Sequence, residues 1–247
     1  MLSYIHAELL KQKRTFDKKL VIIGPLIILL LCLLAPPWFQ QNSHNWWYGF
    51  LYPGCLTLIC AMVLQRDRGK LNYQNIYSLP VNLKNIWYSK IGAAAVLLAA
   101  SNIIMMIFSI LGGLVVVNFF RVPASISVSE SVLAAFCIIL CSLWEIPFCL
   151  WLSQKTGIWG TLFISLVLHI LPGFEFATSN LWILCPYSWI LRIMVPCLHM
   201  LPNGLPAAPG DLPTSLLMVF AALAASVILF VLLSILTARA FARKEVR

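Results

Sequence analysis

Leu216-Leu217-Met218-Val219-Phe220-Ala221-Ala222-Leu223-Ala224-Ala225-Ser226-Val227-Ile228-Leu229-Phe230-Val231-Leu232-Leu233-Ser234-Ile235-Leu236 runs through twenty-one positions without a charge. At 1.5 Å per residue a helix of that length reaches about 32 Å, and the hydrocarbon core of a bilayer is about 30 Å thick. The apolar side chains do not alternate with polar ones, as the short segments of a closed β-barrel must. The stretch therefore reads as a membrane-spanning helix.

Working outward, five more stretches have the same character: Leu20–Phe39, Trp46–Leu64, Ile91–Val117, Val132–Leu152 and Gly157–Phe174. The last one extends over Leu216–Ala238. Gly157–Phe174 is the shortest, about 27 Å as a helix, so it should stand nearly upright. Ile91–Val117 is long enough to tilt or to project. The whole chain agrees with this reading. Of its 247 residues 61% are hydrophobic and 10% charged, with a mean hydropathy of +0.91. A water-soluble domain carries about 25% charged residues, so a soluble globule and a disordered chain are both excluded. The sequence predicts an all-α integral membrane protein with one transmembrane domain over 1–247 and six spans.

Lysine and arginine set the orientation. With both termini cytoplasmic, fifteen of the 17 basic residues lie on one side, in 1–19, in 65–90, at Lys155 and in the tail; only Arg121 and Arg192 lie on the other. Leu181–Leu201 is apolar enough for a seventh span, but that would place the basic tail outside. Pro186, Arg192 and Pro196 would also be costly in a lipid-exposed helix. It is read as interfacial or re-entrant helices between spans five and six. The basic excess matches an anionic inner leaflet and needs no nucleic-acid partner. The first apolar run is too long for the core of a cleaved signal peptide.

Known chemistry is absent from the motifs. Gly69-Lys70 lacks the remainder of a phosphate-binding loop, and the four histidines have no metal-ligand spacing. Ser165 and His169, four apart on span five, read as a polar pair within a helical bundle. No catalytic residue, metal site or resident cofactor is expected. Six of the eight cysteines lie in apolar runs, and whether Cys185 and Cys197 pair stays open.

Three non-membrane pieces remain. Ser3–Lys19 groups Ile5, Leu9, Phe16 and Leu20 near one helical face, which suits a helix lying in the interface. In the connection 65–90, Leu71-Asn72-Tyr73-Gln74-Asn75-Ile76-Tyr77-Ser78-Leu79-Pro80 spaces Tyr73, Ile76, Tyr77 and Pro80 by three and four residues. That gives a short helix with an aromatic face, ended by Pro80, and a fit for a groove on another protein; interfacial anchoring is the plainer reading. The long segment 175–213 holds Trp182, Tyr187, Trp189, Arg192, Asn203 and Gly204, either as outer-interface anchors or as an extracellular vestibule for an amphipathic ligand. Within the membrane, Glu145 is costly and should face protein or water, while Pro147 removes a helix hydrogen bond and marks a hinge. Glu145 reads either as a conformational or substrate-path group or as a neutral carboxyl meeting a local polar contact.

The basic amino-terminal helix, six spans, aromatic cytoplasmic loop and long outer segment resemble the membrane subunits of ABC-2 type transporters. Leu143-Trp144-Glu145-Ile146-Pro147, Leu152-Ser153-Gln154-Lys155-Thr156-Gly157, Cys185-Pro186-Tyr187-Ser188-Trp189 and Leu201-Pro202-Asn203-Gly204-Leu205-Pro206 resemble, more narrowly, the permeases of lantibiotic immunity transporters of the MutE/EpiE type, with the MutG/EpiG type as a close competitor. That resemblance implies a bacterial cytoplasmic membrane, a separate ATPase subunit in two copies that binds the ATP, and a second, different permease. Leu71, Asn72, Tyr73, Asn75, Ile76, Tyr77, Leu79 and Pro80 would then form the ATPase-coupling loop, and the cargo would be a lantibiotic peptide taken from membrane lipids and released outside. An ABC-2 permease for another drug, lipid or polysaccharide is the nearest alternative, and a transporter or channel independent of ATP the next.

Overall fold

In a computed structural model of the chain, which describes residues 2–13, 15–68 and 82–243, every regular element is helical. There is no strand among the described residues, only an isolated bridge between Met200 and Pro206. The expected amino-terminal helix is two pieces. α1 (Leu2–Lys11) ends, and Thr15, in extended conformation, opens α2 (Phe16–Cys32). Pro36 and Pro37 follow α2; α2 therefore stops at Cys32, not at Phe39, and the chain makes one 3₁₀ turn over Pro36–Trp38. α3 (Phe39–Trp46), a π turn at Trp47–Leu51 and α4 (Tyr52–Arg68) then form one rod, which starts well before the expected Trp46.

α5 (Leu83–Phe120) is 38 residues long, about 57 Å, so it overshoots any bilayer core. The side chain of Asn82 caps its start by accepting the Lys84 N–H at 3.0 Å, and Arg121 ends it in a left-handed conformation. α6 (Val128–Ser142) opens on a capping box between Ser127 and Glu130. At Leu143–Trp144 the ladder of helical hydrogen bonds is interrupted although both residues keep helical dihedral angles, a break in hydrogen bonding after which the chain continues as α7 (Glu145–Leu168); a π turn at His169–Gly173 leads into α8 (Phe174–Thr178). α9 (Trp189–Leu198) and α10 (Leu216–Ala242) complete the order.

By length and composition, four helical stretches among the described residues can cross a membrane: Pro36–Gln65, Leu83–Phe120, Glu145–Thr178 and Leu216–Ala242. The six expected spans are thus not six such helices. α2 has 17 residues, and the expected Val132–Leu152 is divided by the break at Leu143–Trp144. Glu145–Thr178 is also no straight rod. Gly157 has φ 74° and ψ −174°, outside any helix, and Cys149 Sγ lies 3.4 Å from Ser165 Oγ. Sixteen positions along a straight helix would separate them by about 24 Å. α7 is a hairpin of two arms, 145–156 and 158–168, that fold back on each other at one glycine.

The rod of α3 and α4 is central. Tyr48, Tyr52, Leu56, Ile59 and Cys60 on it are fully buried, and α4 packs chiefly on α7, with α2 and α5 beside it. α2 approaches α4 at Gly24, where a Cβ would stand 2.8 Å from Cys55 Sγ. Outward faces are apolar: Ile22, Leu26, Leu30 and Leu31 on α2, Leu111 and Leu114 on α5, Leu217, Phe220 and Ile228 on α10. Polar groups turn inward. Trp47 donates to Asn102 Oδ1 at 2.9 Å, Asn102 donates to the Ala135 carbonyl at 2.8 Å, and Ser43, Ser109 and His44 form a buried chain. This apolar surface over a hydrogen-bonded interior is what a lipid solvent selects.

Candidate functional site

The two ends of the bundle carry different chemistry. At the end where α1 meets α4 and α5, four charged side chains close a ring. Glu8 Oε1 accepts from Lys11 Nζ at 2.6 Å and Glu8 Oε2 from Lys90 Nζ at 3.2 Å. Asp67 Oδ1 faces Lys11 at 3.5 Å, and Asp67 Oδ2 is paired with Lys90. The Lys90 side chain has no exposure at all. Burial alone would lower the pKa of Lys11, but the hydrogen bond and charge of Glu8, with those of Asp67, outweigh it and hold that ammonium above its ordinary value. Ile5 sits over Gly92 of α5, where a Cβ would meet Ile5 Cδ1 at 2.7 Å, so α1 is seated on α5 by an apolar contact as well.

Asp67 lies directly before the connection 69–81, and Lys90 lies about two turns inside α5, which follows it. Leu71, Asn72, Tyr73, Asn75, Ile76, Tyr77, Leu79 and Pro80, expected there as a docking helix, lie outside the described residues. The ring was hidden from the sequence, where Lys11 and Lys90 read as solvated anchoring charges. A signal was present in the i, i+3 spacing of Glu8 and Lys11 and in the apolar neighbours of Lys90 (Trp87, Ile91).

Midway, Glu145 is buried at the first position of α7, directly after the break. Pro147 falls in the first turn, where its missing N–H costs nothing, and the Leu143 carbonyl accepts instead from Ile146 N–H at 3.2 Å. Glu145 Oε1 lies 4.0 Å from Cys149 Sγ, which also meets Ser165 Oγ and, at 3.9 Å, Thr57 Oγ1. Glu145 and Pro147 thus sit where α6 gives way to the hairpin. Ser165 faces this cluster. His169 packs edge-on to Tyr187 at 6.3 Å, and no hydrogen bond joins Ser165 to His169 among those found.

At the opposite end, residues 175–213 fold into a cap. Arg192 is buried to 1% exposure. Its guanidinium donates to the Ala177 carbonyl at 2.9 Å, the Pro213 carbonyl at 3.2 Å and Thr214 Oγ1 at 2.9 Å, with the Trp182 ring 5.9 Å away. Burial lowers its pKa. Trp182 is buried, Trp189 donates to the Ile183 carbonyl at 2.9 Å, and Tyr187 stacks edge-on against Trp144 at 4.9 Å. Asn203 and Gly204 form an exposed turn whose Gly204 (φ 85°) rests on Asn45 of the central rod. The six residues expected as vestibule walls therefore do not share one open surface: Trp182, Trp189 and Arg192 are buried in the cap, Tyr187 packs on Trp144, and the turn of Asn203 and Gly204 lies apart. His199 Nε2 is 3.6 Å from Glu130 Oε1, and the Ser127 backbone N–H and hydroxyl hold the Glu130 carboxyl below its ordinary pKa. Cys185 and Cys197 are unbridged; Cys197 Sγ lies 4.0 Å from Cys137 Sγ on α6.

No group of histidine, cysteine and carboxylate side chains able to hold a metal occurs among the described residues. A family model described as ABC-2 family transporter protein matches residues 4–173. No curated protein and no solved structure matches the chain.

Proposed function

The chain belongs to the ABC-2 family of transporter proteins, and on that premise we propose that it is the permease through which an ABC transporter exports a cationic, amphipathic lantibiotic, giving the producing cell immunity. As an ABC-2 protein it is the membrane component of an ABC transporter and works with an ABC ATPase subunit. In this reading two ATPase copies bind and hydrolyse ATP, and a second, different permease completes the complex in a bacterial plasma membrane. Six crossings with both termini cytoplasmic place the ring of Glu8, Lys11, Asp67 and Lys90 at the inner face and the cap at the outer face. That assignment is supported by fifteen basic residues on the inner side against two on the outer.

The observation that carries the reading is the meeting of α1 with the end of α4 and the first turns of α5 through Glu8, Lys11, Asp67 and Lys90, which offers an ATPase a fixed platform. Gly157 lets spans four and five join by a one-residue turn on the same inner side. A cationic cargo agrees with outer segments in which Glu130, Glu175 and Asp211 outnumber Arg121 and Arg192.

Affinity purification from the native membrane tests this. We expect an ABC ATPase and a second permease to co-elute, and deletion of the gene to sensitise the cell to one lantibiotic. An ATPase partner with unchanged lantibiotic sensitivity would remove the cargo assignment, and transport that persists after ATP depletion would remove the transporter class.

A further inference from the structure

We propose that the cavity between α2 and the α3–α4 rod is a lipid site, which takes one acyl chain of a phospholipid from the leaflet on the cap side of the bundle.

α2 and the rod touch at Gly24, where a Cβ would stand 2.8 Å from Cys55 Sγ, and toward the cap they part. The gap is a cavity of about 390 Å³. Ile28, Leu31 and Cys32 of α2, with Ala35 just past its end, wall one side at the three- and four-residue spacing of a single helix face. Asn42, Trp46 and Leu51 of the rod wall the other. From Ile28 to Ala35 the slot is about 10 Å long, so its volume is that of a column about 7 Å across. A helix with its side chains needs about 10–12 Å. An extended hydrocarbon chain fits where a helix does not. Leu31 and Trp46 are both more than half exposed, so the slot opens sideways onto lipid.

The walls change polarity along the membrane normal. The apolar part of the rod, Trp46–Leu64, is about 28 Å long as a helix and matches the hydrocarbon core. Trp46 therefore marks the edge of that core. Asn42 lies one turn beyond it, among Gln40, Gln41, Ser43 and Asn45, while Leu51 and Ile28 lie on the hydrocarbon side. No hydrogen bond among the described residues uses the Asn42 amide or the Trp46 indole N–H. The slot is thus apolar at depth with free donors at headgroup level, which is the order of groups along a phospholipid. Ester and phosphate oxygens would accept from Asn42 Nδ2 and Trp46 Nε1 while the chain lies against Ile28, Leu31 and Leu51. Hydrocarbon gains nothing by moving from lipid to protein, so the polar end and the fit decide whether one lipid stays.

The test uses the full chain, purified from its native membrane with the subunits that accompany it, in nanodiscs of phosphatidylglycerol and phosphatidylethanolamine. The probe is phosphatidylglycerol with a diazirine in one acyl chain. After irradiation, adducts mapped by mass spectrometry should concentrate on 28–35 and 42–51 over the exposed faces of α5 and α10. After delipidation in detergent, native mass spectrometry should find one lipid kept per copy of the chain. Ile28→Trp fills the apolar end of the slot and should cut the slot adducts at least ~10-fold, leaving those on α10 unchanged. Asn42→Leu removes only a half-buried amide and should cut retention roughly 3–10-fold. It carries the test should Ile28→Trp fail to fold. Adducts spread evenly over all outward faces would overturn the proposal, as would unaltered retention in both variants. A map of the purified complex with a peptide or a helix of another subunit seated in the slot would do the same. Neither readout needs ATP or a lantibiotic, so the lipid site is judged apart from the function proposed above.

Discussion

Cys149 and Ser165 lie sixteen positions apart and touch, Sγ to Oγ, at 3.4 Å. Everything between them turns on Gly157, whose φ of 74° with ψ of −174° is a conformation essentially reserved for glycine. Gly157→Ala should cost about 1–3 kcal/mol through backbone strain and open the hairpin, because the 2.6 Å bond from Thr161 Oγ1 to the Gly157 carbonyl anchors the return arm. The check is thermal stability in detergent together with oxidation of a Ser165→Cys variant, which should cross-link to Cys149. Efficient cross-linking in the Gly157→Ala background would show that the turn tolerates a side chain.

Arg192 organises the cap through three neutral acceptors, without a carboxylate among them. Arg192→Met leaves two carbonyls and a hydroxyl without their donor, at about 1–3 kcal/mol for each that water cannot reach. Lysine keeps the charge but loses the planar fork, so Arg192→Lys should recover only part of the stability. Limited proteolysis of 199–213 reads this directly. Equal resistance in the wild-type and Arg192→Met chains would deny the side chain its role.

Fold class was legible from the apolar runs, because lipid demands that every backbone group be satisfied within its own helix. Boundaries were legible only where a residue forbids continuation. Pro36-Pro37 ended α2 seven residues before the apolar run ended, and hydropathy alone cannot register that. Tertiary charge pairing was illegible: nothing in the local sequence says that Glu8 and Lys90, eighty-two positions apart, share a bond. The cap shows the same limit. Trp182, Trp189 and Arg192 have the composition of an outer belt, and only the fold of 175–213 reveals that they face one another. Gly157 sits between these cases, since the sequence located a loop at 153–156 and began the next span at Gly157, but did not show that this one residue makes the whole turn.

Glu130 links one end of α6 to pH. Its carboxyl is held below its ordinary value of 4.5 by the backbone N–H and hydroxyl of Ser127. A depressed carboxylate contributes stability that is present above its unfolded pKa and is lost as pH falls through the folded one. The protection of the 127–131 amides, corrected for the intrinsic exchange rate at each pH, should therefore be high near neutrality and fall on acidification below about pH 4.5. Glu130→Gln should abolish most of that acid dependence, and an unchanged profile in that variant would assign the acid response to another group.

Glu145 offers the sharpest separation of function from packing. It is buried at the start of α7, beside the break in hydrogen bonding at Leu143–Trp144, and it meets the weak thiol of Cys149 at 4.0 Å. Glutamine has the same shape and removes only the acid, so Glu145→Gln should insert and accumulate as the wild-type chain does. A carboxyl that serves movement at this junction should instead reveal itself in transport, with export of the cargo proposed above falling ~10-fold, about 1.4 kcal/mol in the barrier. Glu145→Leu, which also removes the polar contact, should lose abundance as well. Wild-type export in Glu145→Gln would reduce the residue to a polar filler of the bundle, whereas loss of export and abundance in parallel would make it a folding determinant.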